Sequence, residues 1–224
     1  MRSIGGKTPR RATVIGARWV SIVGQTLAVA AAAFVFDVQA SYAGFILVLA
    51  LGAVINAAFA IGLSDSQRLT DGQTAWALTA DLAQIAALLA LAGGVLNPFA
   101  IFLLGPATVA ATVLSSRSAI LVGAASAVAV VALAIAHLPL AFADGTVVEP
   151  SFERRLAAVT ALLAALGFVP LYARRVAVEA FDMSAALAAA QMALEQEQRV
   201  SAIGAMAAAV AHELGTPLAT IKLS

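Results

Sequence analysis

A histidine and an acid stand side by side near the end of this chain, at His212 and Glu213, and Thr216 lies about one helical turn further on. An exposed imidazole is largely neutral near neutral pH and can then act as a nucleophile. Glu213 can orient the ring and accept the proton released when the other ring nitrogen attacks an electrophile. The residues are therefore compatible with a nucleophilic histidine on a helix that Pro217 is expected to disturb, and a structural role is the alternative for a lone His.

The segment between Gly93 and Phe99 reads Gly-Gly-Val-Leu-Asn-Pro-Phe. Gly93 and Gly94 are suited to end one helix, Asn97 to cap the next, and Pro98 to occupy its first position. A tight reversal between two helices explains the segment without a ligand. The alternative is a binding role, because such a turn exposes backbone N–H groups near the membrane surface and Phe99 offers an aromatic ring.

Two further polar residues, Asp81 and Gln84, lie three positions apart on one face of an apolar helix. A charged Asp in mid-membrane costs about 2.5–3.5 kcal/mol on insertion scales, so it needs a partner or a role. The simplest interpretation is a protonated Asp bonded to a neighbouring helix, and a part in a ligand pocket is the alternative. Asn56 and His137 are interpreted as packing or interfacial groups.

The composition is that of a membrane protein. Apolar residues make up 62% of the chain and charged residues only 11%, whereas soluble domains are about 45–50% apolar. Mean hydropathy is +0.97. The absence of cysteine excludes disulfides, thiolate metal ligands and a thiol switch within these 224 residues, and no metal site is predicted.

Apolar runs long enough to cross a membrane predict six helices. Their predicted bounds are Trp19–Phe36, Ala43–Leu63, Thr74–Ala92, Phe99–Leu114, Ala119–Leu138 and Leu156–Ala173. Gly105-Pro106 and Gly167 with Pro170 are expected to kink the fourth and sixth helices. Between the last two helices, a turn signal at Gly145 predicts a small hairpin.

The distribution of Lys and Arg predicts that both termini are cytoplasmic. Nine cations fall on that side: Arg2, Lys7, Arg10, Arg11, Arg18, Arg68, Arg117, Arg174 and Arg175. Two fall on the outer side, at Arg154 and Arg155. A cleaved signal peptide over residues 1–40 is the alternative interpretation of the first helix, because Val38-Gln39-Ala40 resembles a cleavage site.

After residue 175 the composition becomes more polar, and apolar residues recur at the spacing of a coiled coil. The first set is Met183, Leu187, Ala190 and Leu194, and the second is Ile203, Ala207, Val210 and Leu214. The register slips between the two sets, which predicts either a frayed helix or a linker able to rotate. The second set turns His212 away from the partner helix and toward solvent.

Two motifs resemble one family. The stretch from Ala211 to Leu218, with residues 202–210 and 219–221 around it, closely resembles the phospho-accepting H-box of the RegB/PrrB/ActS redox-sensing sensor histidine kinases. Most histidine kinases carry Arg where this chain has Gly215. The glycine therefore restricts the resemblance to the RegB-like group among the histidine kinases. The segment between Gly93 and Phe99 matches, residue for residue, the GGxxNPF heptapeptide that this family uses to sense the ubiquinone pool.

The sequence therefore predicts an all-α membrane protein of the bacterial inner membrane. A basic cytoplasmic N-terminus (1–18) would precede a six-helix transmembrane bundle (19–173). A cytoplasmic coiled-coil linker (174–201) would then lead into the first helix of a dimerisation and phosphoacceptor domain (202–224).

The resemblance also implies a chemistry and partners. The full-length protein would be a homodimeric kinase that autophosphorylates on His212 with ATP and Mg²⁺, with Glu213 as general base. Phosphate would pass to an Asp of a response regulator, and Thr216 would help to position the water that later removes it. Ubiquinone would be sensed through Gly93, Gly94, Asn97, Pro98 and Phe99. Membrane lipid is an expected partner and nucleic acid is not. This chain ends before any ATP-binding domain, so alone it is not expected to be catalytically competent.

Two other functions are compatible with the sequence. A six-span transporter or channel subunit would bring several polar residues together near the membrane midplane. A kinase-dead membrane anchor would dimerise or sequester a regulator.

Overall fold

The computed structural model describes residues 9–35, 37–39, 42–61, 68–142, 145–148 and 151–221, with side chains up to residue 207. Its elements, in chain order, are α1 (Arg11–Phe34), β1 (Val38–Gln39), α2 (Tyr42–Ile61), α3 (Asp71–Ala90), α4 (Leu104–Val113), α5 (Ser116–Ile135), β2 (Leu140–Phe142), β3 (Val147–Val148) and α6 (Phe152–Ile221). Two 3-10 helices, Gly94–Leu96 and Pro98–Leu103, join α3 to α4.

Within these ranges, four helices are long and apolar enough to cross a membrane: α1, α2, α5 and the part of α6 from Phe152 to Ala207. The segment Pro98–Val113 is apolar but shorter. The structure therefore shows a helical membrane protein. The count of six spans stays a prediction, in which α3 and the Pro98–Val113 segment complete the bundle.

Hydrogen bonds at helix ends show which ends lie together. At one end of the bundle, Arg11 at the start of α1 donates to the Phe59 carbonyl at the end of α2. At the same end, Asp71 at the start of α3 accepts hydrogen bonds from Ser115 and Ser118, next to and within the start of α5. Helices that follow each other in the chain therefore run in opposite directions.

The opposite end carries a small antiparallel sheet in the order β1-β2-β3. Val38 pairs with Phe142, and Leu140 pairs with Val148. Gly145 lies in the β2–β3 connection with a φ of +84°. The hairpin predicted between the last two helices is therefore present, and β1 adds a third strand to it.

The main apolar core lies between α3, the two 3-10 helices and α5. It is formed by Leu82, Leu89, Val95, Ala100, Leu103, Val130 and Leu133, with Leu162 and Leu166 of α6 packed against it. Large apolar side chains also cover the outside of the helices, for example Leu47 and Ile120. That arrangement suits a lipid environment, where an apolar exterior carries no cost.

The chain divides into two compact units, residues 1–176 and 177–224. As far as the structure describes it, the second unit is the rest of α6, up to Ile221. The helix α6 is not interrupted at Gly167, Pro170 or Pro217. Pro217 was expected to disturb this helix, but the backbone stays helical as far as Ile221. The exposed residues of the second unit include the predicted coiled-coil positions Met183, Leu187, Leu194 and Ile203.

Candidate functional site

The connection between α3 and α4 begins with two glycines in the left-handed region. Gly93 has a φ of +90° and Gly94 a φ of +63°. A side chain at Gly94 would meet the ring of His137 at 2.8 Å, and the backbone carbonyl of Leu133 would lie closer still. Both the backbone angle and the available space therefore require glycine at position 94.

Two backbone hydrogen bonds fix α3 and this connection to Leu138, in the segment that follows α5. The Gly93 N–H donates to the Leu138 carbonyl at 3.1 Å, and the Leu138 N–H donates to the Ala90 carbonyl at 2.7 Å. His137 Nδ1 lies 3.2 Å from the same Leu138 carbonyl. Since Leu138 lies between the end of α5 and the start of β2, the turn is attached to the segment that joins α5 to the sheet.

Asn97 and Pro98 have the local roles that the sequence predicted for them. Asn97 caps the following 3-10 helix, because its Oδ1 accepts from the Phe99 N–H at 2.9 Å. Its Nδ2 donates to the Ala92 carbonyl at 2.7 Å. The two polar atoms of the Asn97 side chain are thus both occupied within the turn. Pro98 holds the first helical position.

The turn also exposes fewer unbonded backbone N–H groups than the sequence predicted, because some of them form hydrogen bonds within the turn. The N–H groups of Asn97 and Ala100 both bond to carbonyls of the turn. What the turn presents outward is aromatic: Phe99 is 45% exposed and stacks on Phe102, with ring centroids 5.9 Å apart and planes 8° from parallel. A ligand at this turn would contact the apolar rings of Phe99 and Phe102 rather than a set of hydrogen-bond donors.

The other sequence-predicted polar pair lies inside the bundle on α3, nine to twelve residues before the turn. Asp81 pairs with Arg18 of α1, with Nε 2.8 Å from Oδ1. The partner on a neighbouring helix was predicted, but it is a cation, so the pair is ionic rather than a neutral hydrogen bond. Arg18 had been assigned to the cytoplasmic N-terminus, yet it is 1% exposed.

Gln84 bonds to Gln25 of α1, with Nε2 donating to Oε1 at 2.6 Å. Gly52 of α2 makes room for it, since a Cβ there would lie 2.6 Å from Gln84 Nε2. Asn56 of α2 is fully buried and donates to the Ile15 carbonyl at 3.3 Å. The sequence interpretation missed this convergence, although the spacing of Arg11, Arg18 and Gln25 by seven residues was a readable signal.

One side chain joins α6 to the bundle through a dense set of hydrogen bonds. Arg174 donates through Nη1 to the Ala111 carbonyl at 2.9 Å and through Nη2 to Ser116 Oγ at 3.0 Å. A longer bond of 3.4 Å reaches the Leu114 carbonyl. The guanidinium thus caps the C-terminal end of α4, where carbonyls lack helical partners.

The backbone around His212 is helical. The side chains of His212, Glu213 and Thr216 lie outside the described part of the structure, so the predicted phosphoacceptor geometry stays a prediction.

These features define a helical membrane protein with a separate helical unit that carries a His-Glu motif. The sensor histidine kinase RegB of Cereibacter sphaeroides is 36% identical over 222 residues, which cover 99% of this chain and 48% of the relative. RegB of Cereibacter sphaeroides strain ATCC 17023 is 49% identical over 87 residues, covering 39% of this chain and 19% of that relative. No family model and no solved structure matches the chain.

The chain belongs to the RegB-type sensor histidine kinases. It spans about half the length of the relative that it matches from end to end.

Proposed function

We propose that this chain is the sensor and phosphoacceptor part of a membrane-bound histidine kinase that reports the redox state of the quinone pool. The observation that carries this proposal is the 36% identity to RegB over 99% of the chain. That match includes both the membrane bundle and the His-Glu motif. A transporter would also bring polar residues together inside the bundle, as they are here, but it would not need the motif.

In the proposed reaction, a neutral His212 imidazole attacks the γ-phosphate of ATP, the bond to the bridging oxygen breaks, ADP leaves, and a phosphoramidate forms. Glu213 holds the ring and takes its proton, as a general base should. The phosphate then passes to an Asp of a response regulator, and Thr216 acts in its later removal. ATP and Mg²⁺ would be held by a domain that these 224 residues do not include.

The proposed sensing site is the turn between α3 and α4. Its support from the structure is the exposed Phe99–Phe102 pair, which offers a surface on which a quinone ring can stack. Gly93, Gly94, Asn97 and Pro98 would shape this surface rather than touch the ligand through polar groups. Ubiquinone is the proposed ligand.

A route from this turn to α6 follows from the contacts of Arg174. Pro98–Leu103 continues directly into α4, and the end of α4 is capped by Arg174. A shift of α4 would therefore act on α6 just before the boundary at residue 176. For a ligand to use this route, it must bind one arrangement of α4 more tightly than the other.

The remaining partners follow from the kinase assignment. We propose a homodimer formed through the apolar positions of residues 177–224, a cognate response regulator and the lipids of the inner membrane. Both termini would be cytoplasmic, which places His212 on the side where ATP is found.

Phosphate transfer tests the central claim. This chain in membranes is mixed with the catalytic domain of a RegB-type kinase and labelled ATP. We expect an acid-labile, alkali-stable label that is absent from His212→Gln. We also expect Glu213→Gln to slow labelling by about 10²-fold, since a general base contributes on that order. A label that persists in His212→Gln would contradict the proposal.

A further inference from the structure

One face of α1 carries polar side chains through much of the span. Arg11, Arg18 and Gln25 are spaced by seven residues, so they share a helix face. Together with three partners they form the polar seam, which we define as Arg11, Arg18 and Gln25 of α1, Asn56 of α2, and Asp81 and Gln84 of α3. At a rise of about 1.5 Å per residue, the α1 residues of the seam extend over roughly 21 Å of the helix.

Four residues of the seam are buried, and some of their polar atoms have no hydrogen-bond partner among the described residues: Arg11, Arg18, Asn56 and Gln84. Arg18 is 1% exposed and reaches Asp81 through Nε, while Nη1 and Nη2 have no hydrogen-bond partner among the described residues. Asn56 is 0% exposed and Gln84 is 7% exposed. Asn56 Oδ1 and Gln84 Oε1 also have no hydrogen-bond partner among the described residues. Buried polar atoms nearly always have a partner, so this set requires an explanation.

Helix α2 brings the two amide oxygens near each other, because a Cβ at Gly52 would collide with Gln84 Oε1 and Asn56 follows Gly52 by about one helical turn. Asn56 bonds to the carbonyl of Ile15, three residues before Arg18. Gln84 lies three residues after Asp81, the partner of Arg18. The donors on one side and the acceptors on the other therefore surround a common region between α1, α2 and α3.

The donors of Arg18 and the two acceptor amide oxygens together determine which kind of ligand group can bind between them. A guanidinium only donates, and an amide oxygen only accepts. A carbonyl or an anion would satisfy Arg18 but leave both amide oxygens unbonded, and Asp81 already neutralises the charge of Arg18. A hydroxyl oxygen accepts from an N–H and donates to an amide oxygen. Each hydroxyl carries one hydrogen and therefore donates to one amide oxygen. We propose that the polar seam binds hydroxyl groups, each of which accepts from Arg18 and donates to the amide oxygen of Asn56 or of Gln84.

Two sources can supply a hydroxyl here: water, or the head group of a membrane-soluble molecule such as a hydroquinone. The site is distinct from the turn between α3 and α4, because Asp81 and Gln84 lie twelve and nine residues before Gly93. Along a helix those separations are about 18 and 14 Å.

The water source is tested by thiol labelling, for which a chain without cysteine is well suited. Ser21→Cys places a thiol beside Gln25, whose Nε2 donates to Ser21 Oγ at 3.0 Å. Val20→Cys is the matched control, since Val20 is 74% exposed on the outer face of α1. In proteoliposomes, a charged methanethiosulfonate should modify Ser21→Cys at least about tenfold faster, because the reactive thiolate forms in water.

The membrane-soluble source is tested by the fluorescence of the two tryptophans, Trp19 and Trp76, which lie on α1 and α3. A short-chain hydroquinone should quench this fluorescence saturably, and its dimethyl ether, which cannot donate a hydrogen bond, should not. Asn56→Leu removes an acceptor and should abolish the saturable part. Thr79→Val on the exposed face of α3 should leave it unchanged.

If Asn56→Leu fails to insert into the membrane, Gln84→Met serves the same purpose. Rapid labelling of Ser21→Cys supports water as the occupant, and hydroxyl-dependent quenching supports a membrane-soluble molecule. Equal labelling of the two cysteine variants, together with no difference between hydroquinone and its ether, would show a dry seam and overturn the proposal. None of these outcomes depends on whether His212 is phosphorylated.

Discussion

Gly94 and Gly145 form a natural comparison for the energetics of the turn. Both have a positive φ, +63° and +84° respectively. A Cβ at Gly145 would meet nothing within 4 Å, whereas one at Gly94 would meet His137 and the backbone of Leu133. Replacing each glycine by alanine therefore separates the cost of the backbone angle from the cost of the crowded surroundings.

Alanine in the left-handed region costs roughly 1–2 kcal/mol, which is the loss expected for Gly145→Ala. Gly94→Ala should cost about 1–3 kcal/mol more through overpacking, because the Leu133 carbonyl is part of α5 and cannot move alone. The total loss at Gly94 is then about 2–5 kcal/mol. Gly123→Ala is the baseline, since a Cβ there meets nothing within 4 Å and needs no special backbone angle.

The measurement is reversible unfolding in mixed detergent micelles, with the three variants compared with wild type. We expect the unfolding free energy to fall most for Gly94→Ala, less for Gly145→Ala and not at all for Gly123→Ala. Equal losses for Gly94→Ala and Gly145→Ala would refute the described packing of the turn on α5.

Other variants separate positioning from sensing. Asn97→Ala should lower the unfolding free energy by about 1 kcal/mol through the lost cap, whereas Phe99→Leu should keep stability and reduce the response of the restored kinase to ubiquinone redox state in liposomes. Arg174→Met should weaken the coupling between quinone state and phosphorylation more than Arg175→Met does; equal effects would discard the proposed route. Hydrogen bonds from Ser118 and the Ser115 N–H lower the pKa of Asp71, which lies at the edge of the membrane. The ionised carboxylate should therefore stabilise the folded protein fully at neutral pH. This stabilisation should be lost as the pH falls below about 4. The stability difference between wild type and Asp71→Asn should therefore shrink on acidification, and a constant difference would show that the carboxylate is not the cause.

Local rules predicted the turn well because each of its residues has a strong positional preference. Glycine alone tolerates the angles at positions 93 and 94, Asn97 has the side chain of a cap, and Pro98 suits a first helical position. These preferences act within a few residues, so the sequence is sufficient to read them. The same rules did not predict that both polar atoms of the Asn97 side chain would be hydrogen-bonded within the turn. That outcome depends on where the Ala92 carbonyl lies.

The buried cations were missed for a physical reason. Lys and Arg near the end of an apolar run ordinarily face water, and the orientation rule counts them on that basis. Arg11 and Arg18 lie inside instead, because α2 offers carbonyls at its end and α3 offers Asp81. Helix α1 consequently begins at Arg11, eight residues before the predicted span. Such pairing depends on which helices are neighbours, which periodicity within one helix does not reveal.

Helix α3 connects the two places where a ligand has been proposed. Its middle carries Asp81 and Gln84, which contact α1, and its end leads into the turn that precedes α4. A ligand bound at either place would stabilise one position of α3 relative to its neighbours, and by linkage each ligand would then change the affinity for the other. In the proposed route, such a change would reach α6 through the end of α4, where Arg174 is bonded. Occupancy of the polar seam should therefore alter the quinone dependence of the kinase even when the turn is intact. If Asn56→Leu leaves that dependence unchanged, the two sites are uncoupled and the seam serves only to solvate the Arg18–Asp81 pair.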